Sequence, residues 1–504
     1  MTAAKILLAS LALATTRQSG QLTWTEATMP KGLLGPQVTW RGNLWGTHWE
    51  QPTVMFYDGA KVNKGGKTVV PRKKFAPSMY ATGSGLFLAS RGDQYLFTYI
   101  KGRKPFKPGE KIRQAFTSAI GNVVSDDGKI LNVELSTGAF DNYHQVKGLT
   151  SEVEVNITGM TLNQAVNFIE YSPDGLQDFV PTLSGIGIGV PLLPHLICDC
   201  GIIKGPIRGY KNTRVVLYGE YVEGNPTLWY NLPDINPMYW APIMTGTGSN
   251  PNGSQDSTEA VRHFHGEVFV PGIGPNEGRL FAFTGDNDSQ SSILICDDIA
   301  DLCNNGTKWA NNWAFNRYGS DRVKFLTKGA GAPFCLGAGR QEYRTVELMI
   351  DSAKRYGYYI PDQSDATDGD LPGTNTLHIV DLAAKSIRRT TNRVTGTGWV
   401  GTYAPDGTIL ISTDSEFGFF PKPNQYNGNC DEFCHLYALG SDKASLYEVT
   451  KFRRSDWNNP AGSVQIDRWP LAFGNLFGWD TTYRVEGGDH AGSLVKSPSL
   501  PLSR

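Results

Sequence analysis

The sequence predicts an all-β protein, and more narrowly a β-propeller of six or seven blades with an N-terminal arm and a short C-terminal tail. Its 504 residues include 57 glycines and 29 prolines, and only 19% of them are charged. This composition favours many short strands and tight turns. The chain shows no long helical pattern, and it repeats a unit of an apolar strand, a polar turn and a second strand.

Five copies of this two-strand unit follow one another along the chain. They begin at Asn167, Thr227, Ser292, Asn375 and Cys434. Successive copies start roughly 60 to 80 residues apart, which fits a blade of about 40 to 50 residues with inserted loops. Candidate inner strands lie between the copies, and earlier hairpin-like segments could supply further blades.

The domain boundaries follow from these repeats. We expect an N-terminal arm over residues 1–45, the propeller over residues 46–490 and a tail over residues 491–504. In an alternative division, residues 46–200 form a separate β-domain and residues 201–490 the propeller. The opening MTAAKILLASLALATT is either a retained docking arm or a secretory signal peptide, because one Lys precedes a short apolar stretch that ends in small residues.

Charge and hydropathy argue against two classes of partner. The formal net charge is −1 and the isoelectric point is about 6.7, so the electrostatic mode of nucleic-acid binding has little support. The apolar stretch near the N-terminus is too short to span a bilayer, and no other apolar run is long enough. We expect neither a nucleic-acid partner nor a membrane span.

The seven cysteines leave at least one thiol without an intrachain partner. Cys296 and Cys303 flank a short polar loop whose ends must meet. We therefore expect a disulfide between them, with Cα atoms less than about 7 Å apart. The alternative is a reduced pair, and the redox compartment stays open.

Two of the repeat turns carry a more specific pattern, Ser-x-Asp-x-Gly-x-Thr-Trp in degenerate form. The first copy consists of Ser172, Asp174, Gly175 and Phe179. The second consists of Asp297 or Asp298 with Gly306, Thr307 and Trp309, after an insertion. From about Asn167 to Trp457 the chain is therefore similar to the sialidase-like (BNR/Asp-box) propellers. The resemblance implies a fold and hardly an activity, since Asp boxes are structural and lie away from the ligand site.

The stretch VRHFHGEVFVP, residues 261–271, carries the strongest candidate chemistry. Alternation along a strand would place His263, His265 and Glu267 on one face. Where a blade begins, such residues can face the axial channel, so we expect at least one histidine to be exposed there. A lyase would need a His or Tyr to abstract the proton beside a uronate carboxylate and an Arg to neutralise the developing charge.

The catalytic candidates, should the chain be an enzyme, are His263, His265, Arg262, Tyr343 and Arg344. The competing interpretation is that two histidines at alternate strand positions are hydrogen-bonded structural residues. No sialidase-type arginine motif appears in the sequence.

Polar and aromatic residues at the expected starts of blades suggest a glycan site, because Trp rings stack on sugar faces. The glycan-binding candidates are Trp45, His48, Trp49, Trp399 and Trp479. Packing between blades is the alternative role of these tryptophans. Asp286 and Asp288 in TGDNDS are candidate calcium ligands, although the spacing of a full EF-hand loop is lacking; no other cofactor is expected.

Two classes of function remain. The first is a non-enzymatic glycan-recognition or structural protein of an extracellular or virion assembly, similar to a tail fibre. Its partner would be a cell-surface or extracellular polysaccharide, and its N-terminal arm would mediate homo-oligomerisation or docking. The second is a glycan-cleaving enzyme, a polysaccharide lyase or glycoside hydrolase, that acts on an acidic polysaccharide. The absence of a strong catalytic motif favours the first.

Overall fold

A computed structural model of the chain shows a protein built almost wholly of β-strands. It describes the following residues: 25–26, 34–47, 53–68, 78–99, 105–115, 119–137, 145–186, 197–221, 226–245, 263–285, 291–306, 315–316, 324–325, 334–338, 341–362, 375–404, 406–414, 417–418, 425–426, 433–453, 466–468, 471–472, 475–480 and 494–496.

The strands are short, as the glycine-rich composition predicts. The first are β1 Thr25–Glu26, β2 Leu34–Trp40, β3 Asn43–Thr47, β4 Thr53–Tyr57, β5 Val62–Lys67, β6 Ser78–Ala81, β7 Leu86–Tyr99, β8 Lys111–Gln114, β9 Ile120–Asp126, β10 Ile130–Thr137, β11 Val146–Gly148, β12 Glu154–Val155, β13 Ile157–Ser172 and β14 Val180–Ile186. The next are β15 Ile197–Ile203, β16 Thr213–Gly219, β17 Thr227–Leu232, β18 Asn236–Thr245, β19 Phe264–Pro271, β20 Gly278–Thr284, β21 Ser292–Cys296, β22 Phe315–Asn316, β23 Lys324–Phe325 and β24 Phe334–Ala338. The last are β25 Met349–Ile350, β26 Tyr356–Tyr359, β27 Thr376–Asp381, β28 Ser386–Arg393, β29 Thr397–Tyr403, β30 Ile409–Asp414, β31 Phe417–Gly418, β32 Gln425–Tyr426, β33 Phe433–Leu439, β34 Leu446–Arg453, β35 Ile466–Arg468, β36 Leu471–Ala472, β37 Asn475–Asp480 and β38 Leu494–Lys496. The helical elements are α1 Ile299–Asn304 and a 3₁₀ turn, Gln341–Tyr343.

Four-stranded antiparallel sheets recur along the chain. Their strand orders are β2-β3-β4-β5, β15-β16-β17-β18, β19-β20-β21-β24, β25-β26-β27-β28 and β29-β30-β33-β34. Each strand pairs with its predecessor and its successor within the sheet. Short pairs, β22 with β23 and β31 with β32, lie in the insertions of two of these sheets.

The predicted two-strand repeats correspond to the last two strands of successive sheets. The copies that begin at Asn167, Thr227, Asn375 and Cys434 contain β13–β14, β17–β18, β27–β28 and β33–β34. The copy from Ser292 contains β21, but α1 follows it and the partner strand β24 comes later. In this copy Asp298 caps α1 by accepting the backbone N–H of Asp301 (2.8 Å). Thr307 and Trp309 fall outside the described residues, so the second Asp-box turn remains a prediction.

One sheet is larger, because two of its strands are unusually long. The first half of β7 pairs with β6 and the second half with β10, while β13 pairs along the whole of β7. The unit β6, β7, β13 and β14 therefore has the four-stranded pattern of the other sheets. An extension of β8 to β12 continues from it and encloses a separate core that includes Phe97, Ile112, Val133 and Val146.

The two ends of the chain meet in one sheet. β1 pairs with β38, with Thr25 opposite Lys496, and β38 continues to β37 and β35. The segment expected to be a tail thus supplies a strand. The expected arm supplies β1 and β2, and its boundary at residue 45 falls inside β3.

The buried apolar residues form separate clusters, and one of them connects several of the sheets. This largest cluster takes in Tyr80, Leu217, Phe264, Val346 and Leu436, which come from different sheets or from the segments beside them. Trp45 is only 3% exposed: its indole N–H donates to the Trp40 carbonyl (3.0 Å), and its ring stacks on Phe56. Helices long and apolar enough to cross a membrane are not found in the described parts of the chain.

The predicted disulfide between Cys296 and Cys303 is wrong for this structure. Both thiols are free and buried. The Cys296 thiol instead donates to the Asp298 carbonyl (3.2 Å) and accepts the Asp298 backbone N–H (3.4 Å), which secures it at the start of α1.

Candidate functional site

The histidines of the VRHFHGEVFVP stretch lie at the start of β19. His263 immediately precedes the strand, and a β-bulge between Phe264 and Gly266 shifts the pairing with β20. His263 and His265 both contact Tyr221, just after β16, and Glu267 contacts Gly219 at the end of β16. The bulge interrupts the predicted alternation, because Phe264, which lies between the two histidines, contacts Gly219 as Glu267 does.

The imidazole rings of His263 and His265 contact each other directly. Their Nε2 atoms are 2.9 Å apart, and the rings stack with centroids 4.8 Å apart. The Tyr221 ring lies over His263 at 4.0 Å. His263 is 2% exposed and His265 1%, so the expectation that one of them is exposed is wrong, because Tyr221 and the flanking sheet cover them.

An acidic and a basic side chain complete this cluster. The Asp362 Oδ2 atom lies 3.5 Å from His265 Nδ1. The Arg344 guanidinium donates to the same oxygen from Nε (3.1 Å) and Nη2 (3.0 Å). Asp362 is itself buried, and its backbone N–H donates to the Arg344 carbonyl (2.8 Å).

The close approach of the two Nε2 atoms means that one imidazole donates a hydrogen bond to the other. Arg344, Asp362, His265 and His263 then form one polar chain through the interior. Such a chain can hold charges and hydrogen bonds between two sheets. A base that abstracts a proton from a substrate must lie within hydrogen-bonding distance of that proton.

The remaining predicted residues are placed as follows. Tyr343 is partly buried against an apolar cluster. Trp399 is buried in the largest core cluster, which together with the burial of Trp45 assigns these two rings to packing rather than to a sugar platform. Trp479 lies on β37, and its side chain is not described. Arg262, His48, Trp49, Asp286 and Asp288 fall outside the described residues.

Within the described ranges, no group of three or more His, Cys, Asp or Glu side chains is arranged to hold a metal ion. The calcium candidates lie outside those ranges, so they remain a prediction.

The sequence pattern did not predict that Glu267 is a buried acid. Both carboxyl oxygens of Glu267 are buried and have no hydrogen-bond partner among the described residues. Burial, with a smaller contribution from nearby Cys198, raises the pKa of Glu267 well above its ordinary value. The Gly219 backbone allows this close approach, because a Cβ there would lie 2.0 Å from Glu267 Oε1.

Comparisons with known proteins give likenesses of overall shape. No family model and no curated protein sequence matches the chain. Among solved structures, it is similar to the WD40 β-propeller domain of Doa1, with 9% identity over 94% of this chain and 96% of that chain and a TM-score of 0.37.

It is also similar to a putative 6-phosphogluconolactonase from Bacteroides uniformis, with 14% identity over 77% and 89% of the two chains and a TM-score of 0.32. A third likeness is to Penicillium chrysogenum α-L-arabinanase complexed with arabinobiose, with 10% identity over 72% and 99% and a TM-score of 0.28. At these low scores and identities, the likenesses carry no conclusion about activity.

Proposed function

We propose that this protein is a non-enzymatic β-propeller that recognises an extracellular or cell-surface polysaccharide as part of an extracellular or virion (tail-fibre-like) assembly. The observation that carries the proposal is the enclosure of the His263–His265 pair. These residues are the strongest catalytic candidates in the sequence, and both are buried beneath Tyr221 and bonded to each other. A general base must reach the substrate proton, so this cluster fits a structural role better.

The propeller is proposed to have seven blades. The units are β2–β5; β6, β7, β13 and β14; β15–β18; β19–β21 with β24; β25–β28; β29, β30, β33 and β34; and β35, β37 and β38 with β1. The antiparallel order within these sheets and the core cluster that several of them share support this arrangement. In the seventh unit a strand from the N-terminus pairs with one from the C-terminus, which would close the ring.

The kinship with sialidase-like propellers is a further part of the proposal. The turn after β13 supports it: the Ser172 hydroxyl accepts the Gly175 N–H (3.0 Å), and Asp174 accepts the N–H groups of Leu176 (2.8 Å) and Gln177 (2.9 Å). Gly175 adopts a φ of 72°, and Phe179 is buried. These are the roles that the Asp-box resemblance assigns to those positions.

Exposed aromatic rings support sugar recognition. Tyr210, Tyr239, Tyr403 and Tyr447 are all exposed. A tyrosine presents an apolar face and a polar tip to a ligand, which suits sugar rings.

A polysaccharide lyase is the second candidate, and one observation favours it. His263, His265, Tyr221 and Arg344 are gathered at one place, and these are the residue types that proton abstraction beside a uronate carboxylate requires. This function would require Tyr221 to move and open the cluster to substrate.

One experiment separates the two candidates. Wild-type protein and the His263→Gln variant are incubated with a panel of acidic polysaccharides, and unsaturated uronates and new reducing ends are measured together with binding. His435→Gln is the matched control. His435 is also a buried strand histidine, but it lies in a different sheet from His263 and hydrogen-bonds to Glu448 (2.7 Å). We expect binding without products. Products that form with wild type and with His435→Gln, but not with His263→Gln, would establish the lyase instead.

A further inference from the structure

The turn between β15 and β16 has a tight geometry. Ile207 and Tyr210 exchange two backbone hydrogen bonds, of 2.8 and 2.9 Å, across Arg208 and Gly209. Both central residues have positive φ, 52° and 89°, which is the geometry of a type I′ turn. Gly209 supplies the glycine that such a turn favours, and Arg208 takes the first position, where Asn is the common residue.

Several contacts fix the backbone and the guanidinium of Arg208. Its backbone N–H donates to Asn304 Oδ1 (3.0 Å), and Asn304 Nδ2 donates to the Pro206 carbonyl (2.7 Å). The Arg208 Nε–H donates to the Tyr230 hydroxyl (2.8 Å). The turn is thereby attached to α1 of the next sheet, and the guanidinium is held at one edge.

The other edge of the guanidinium is available to a ligand. Arg208 is exposed, and its two Nη groups have no hydrogen-bond partner within the described part of the chain. A guanidinium that is already oriented loses less entropy when it binds a carboxylate with two parallel hydrogen bonds.

Two exposed tyrosines lie on the segments beside this cation. Tyr210 is 47% exposed and closes the same turn, and Tyr239 is 58% exposed. Tyr230, which holds the guanidinium, pairs with Ala241 across β17 and β18, and Tyr239 lies two residues before Ala241 on β18. The Tyr239 carbonyl accepts from Asn231 Nδ2 (2.8 Å), which fixes the backbone that carries this ring.

The local charge suits a ligand with isolated negative groups. Lys204, Arg208 and Lys211 lie in or beside the turn, and the Glu277 carboxylate accepts the backbone N–H of Lys204 (3.0 Å). This small excess of cations does not make the basic track that a phosphate backbone requires. A single carboxylate on a flat sugar ring matches one guanidinium and two phenol rings.

We propose that Arg208, Tyr210 and Tyr239 form a binding site for a uronate residue of an acidic glycan. The Arg208 Nη groups bind the carboxylate, and the tyrosine rings pack against the sugar. This inference rests on the glycan recognition proposed above and adds to it the charge class of the sugar and a location far along the chain from the His263 cluster.

The test measures binding of defined uronate oligosaccharides to the full-length protein by calorimetry. The panel consists of oligogalacturonate, oligoalginate and hyaluronan oligosaccharides, with methyl-esterified oligogalacturonate as the uncharged partner. Arg208→Asn is the informative variant, because Asn tolerates a positive φ and leaves the turn intact. Lys443→Asn is the matched control, since Lys443 is a cation at a φ of 55° in the turn of another sheet.

We expect at least one uronate oligosaccharide to bind wild type and Lys443→Asn equally. Arg208→Asn should weaken that binding by about tenfold or more, and Tyr239→Ala should also weaken it. The methyl ester should bind wild type no better than the acid binds Arg208→Asn. Equal thermal stability of Arg208→Asn and wild type would show that the turn is intact.

Other outcomes overturn the inference. Unchanged affinity of Arg208→Asn, or equal binding of acid and methyl ester, would remove Arg208 from recognition but leave glycan binding in place. Binding of neutral glycans alone would do the same. Binding of no glycan at all would overturn this site and the proposed function together, and tighter binding of single-stranded DNA than of any oligosaccharide would indicate a nucleic-acid surface.

Discussion

Glu267 provides a stability test that depends on one buried proton. Burial raises its pKa well above the ordinary value of 4.5, so the folded chain keeps this proton to a higher pH than the unfolded chain does. Below 4.5 the carboxyl is neutral in both states. As the pH rises above 4.5, the unfolded chain ionises first and the free energy of unfolding falls, until the folded-state pKa is passed.

The magnitude follows from one proton and complete burial. In this window one differential proton changes the free energy of unfolding by about 1.4 kcal/mol for each pH unit. The nearby Tyr218 phenol does not offset this slope, because burial raises its pKa well above its ordinary value and it stays neutral in this window. Glu267→Gln has nearly the shape of the protonated acid and cannot ionise.

Urea denaturation of wild type and Glu267→Gln at several pH values between about 5 and 7 measures the effect. The difference in free energy of unfolding should shift toward the variant by about 1.4 kcal/mol per pH unit. The contributions of all other titrating groups to the free energy of unfolding are the same in both proteins, so they cancel in this difference. Parallel curves for the two proteins would refute the argument that Glu267 is enclosed without a partner.

Three further substitutions test the packing. Trp45→Ala should lower the free energy of unfolding by about 3–5 kcal/mol. Tyr447→Ala is the control, because Tyr447 is exposed, and it should change the free energy of unfolding by about 0.5 kcal/mol or less in the same denaturation assay. Equal effects of the two substitutions would contradict the burial of Trp45. Gly66→Ala would place a Cβ 1.9 Å from the Gln177 carbonyl oxygen and should cost about 1–3 kcal/mol, and an unchanged melting curve would disprove that contact. Burial alone would raise the pKa of Glu110, but hydrogen bonds from Ser151, Lys107 and Thr150 outweigh it and lower the pKa overall. Glu110→Gln should therefore lower the free energy of unfolding at neutral pH, and this loss should shrink as the pH falls below 4.5. A loss that does not depend on pH would contradict this sign.

Local pattern was enough to predict the strands but not their partners. The alternation and turn residues from Thr227 onward identify β17 and β18 because these strands pair across a short turn. The pairing of Thr25 with Lys496 joins the ends of the chain, and no local pattern specifies it. The hairpin of β9 and β10, which begins near Asn122, has the same alternation as the hairpins of the four-stranded sheets, so local pattern alone predicts a further blade there.

For the candidate site, too, local pattern predicts part of the arrangement and not the rest. Alternation predicts that His263 and His265 lie together, and their rings do contact each other. It does not predict the bulge that brings Phe264 and Glu267 to the same glycine, Gly219. The burial of the two histidines depends on Tyr221 and Asp362, which other parts of the chain supply. The signal for the Arg208 turn was present in the sequence as Arg-Gly between two strands, but its importance appears only when Asn304 and Tyr230 are seen to hold it.

The central claim is recognition of a polysaccharide without cleavage, and the length of a bound polymer tests it most directly. A uronate polysaccharide of narrow size distribution is incubated with stoichiometric protein, the complex is isolated by size exclusion, and the polymer is recovered and sized by light scattering. We predict that the polymer elutes with the protein and is recovered at its original length. A polymer that shortens progressively with incubation time, and that stays intact with His263→Gln, would contradict this account.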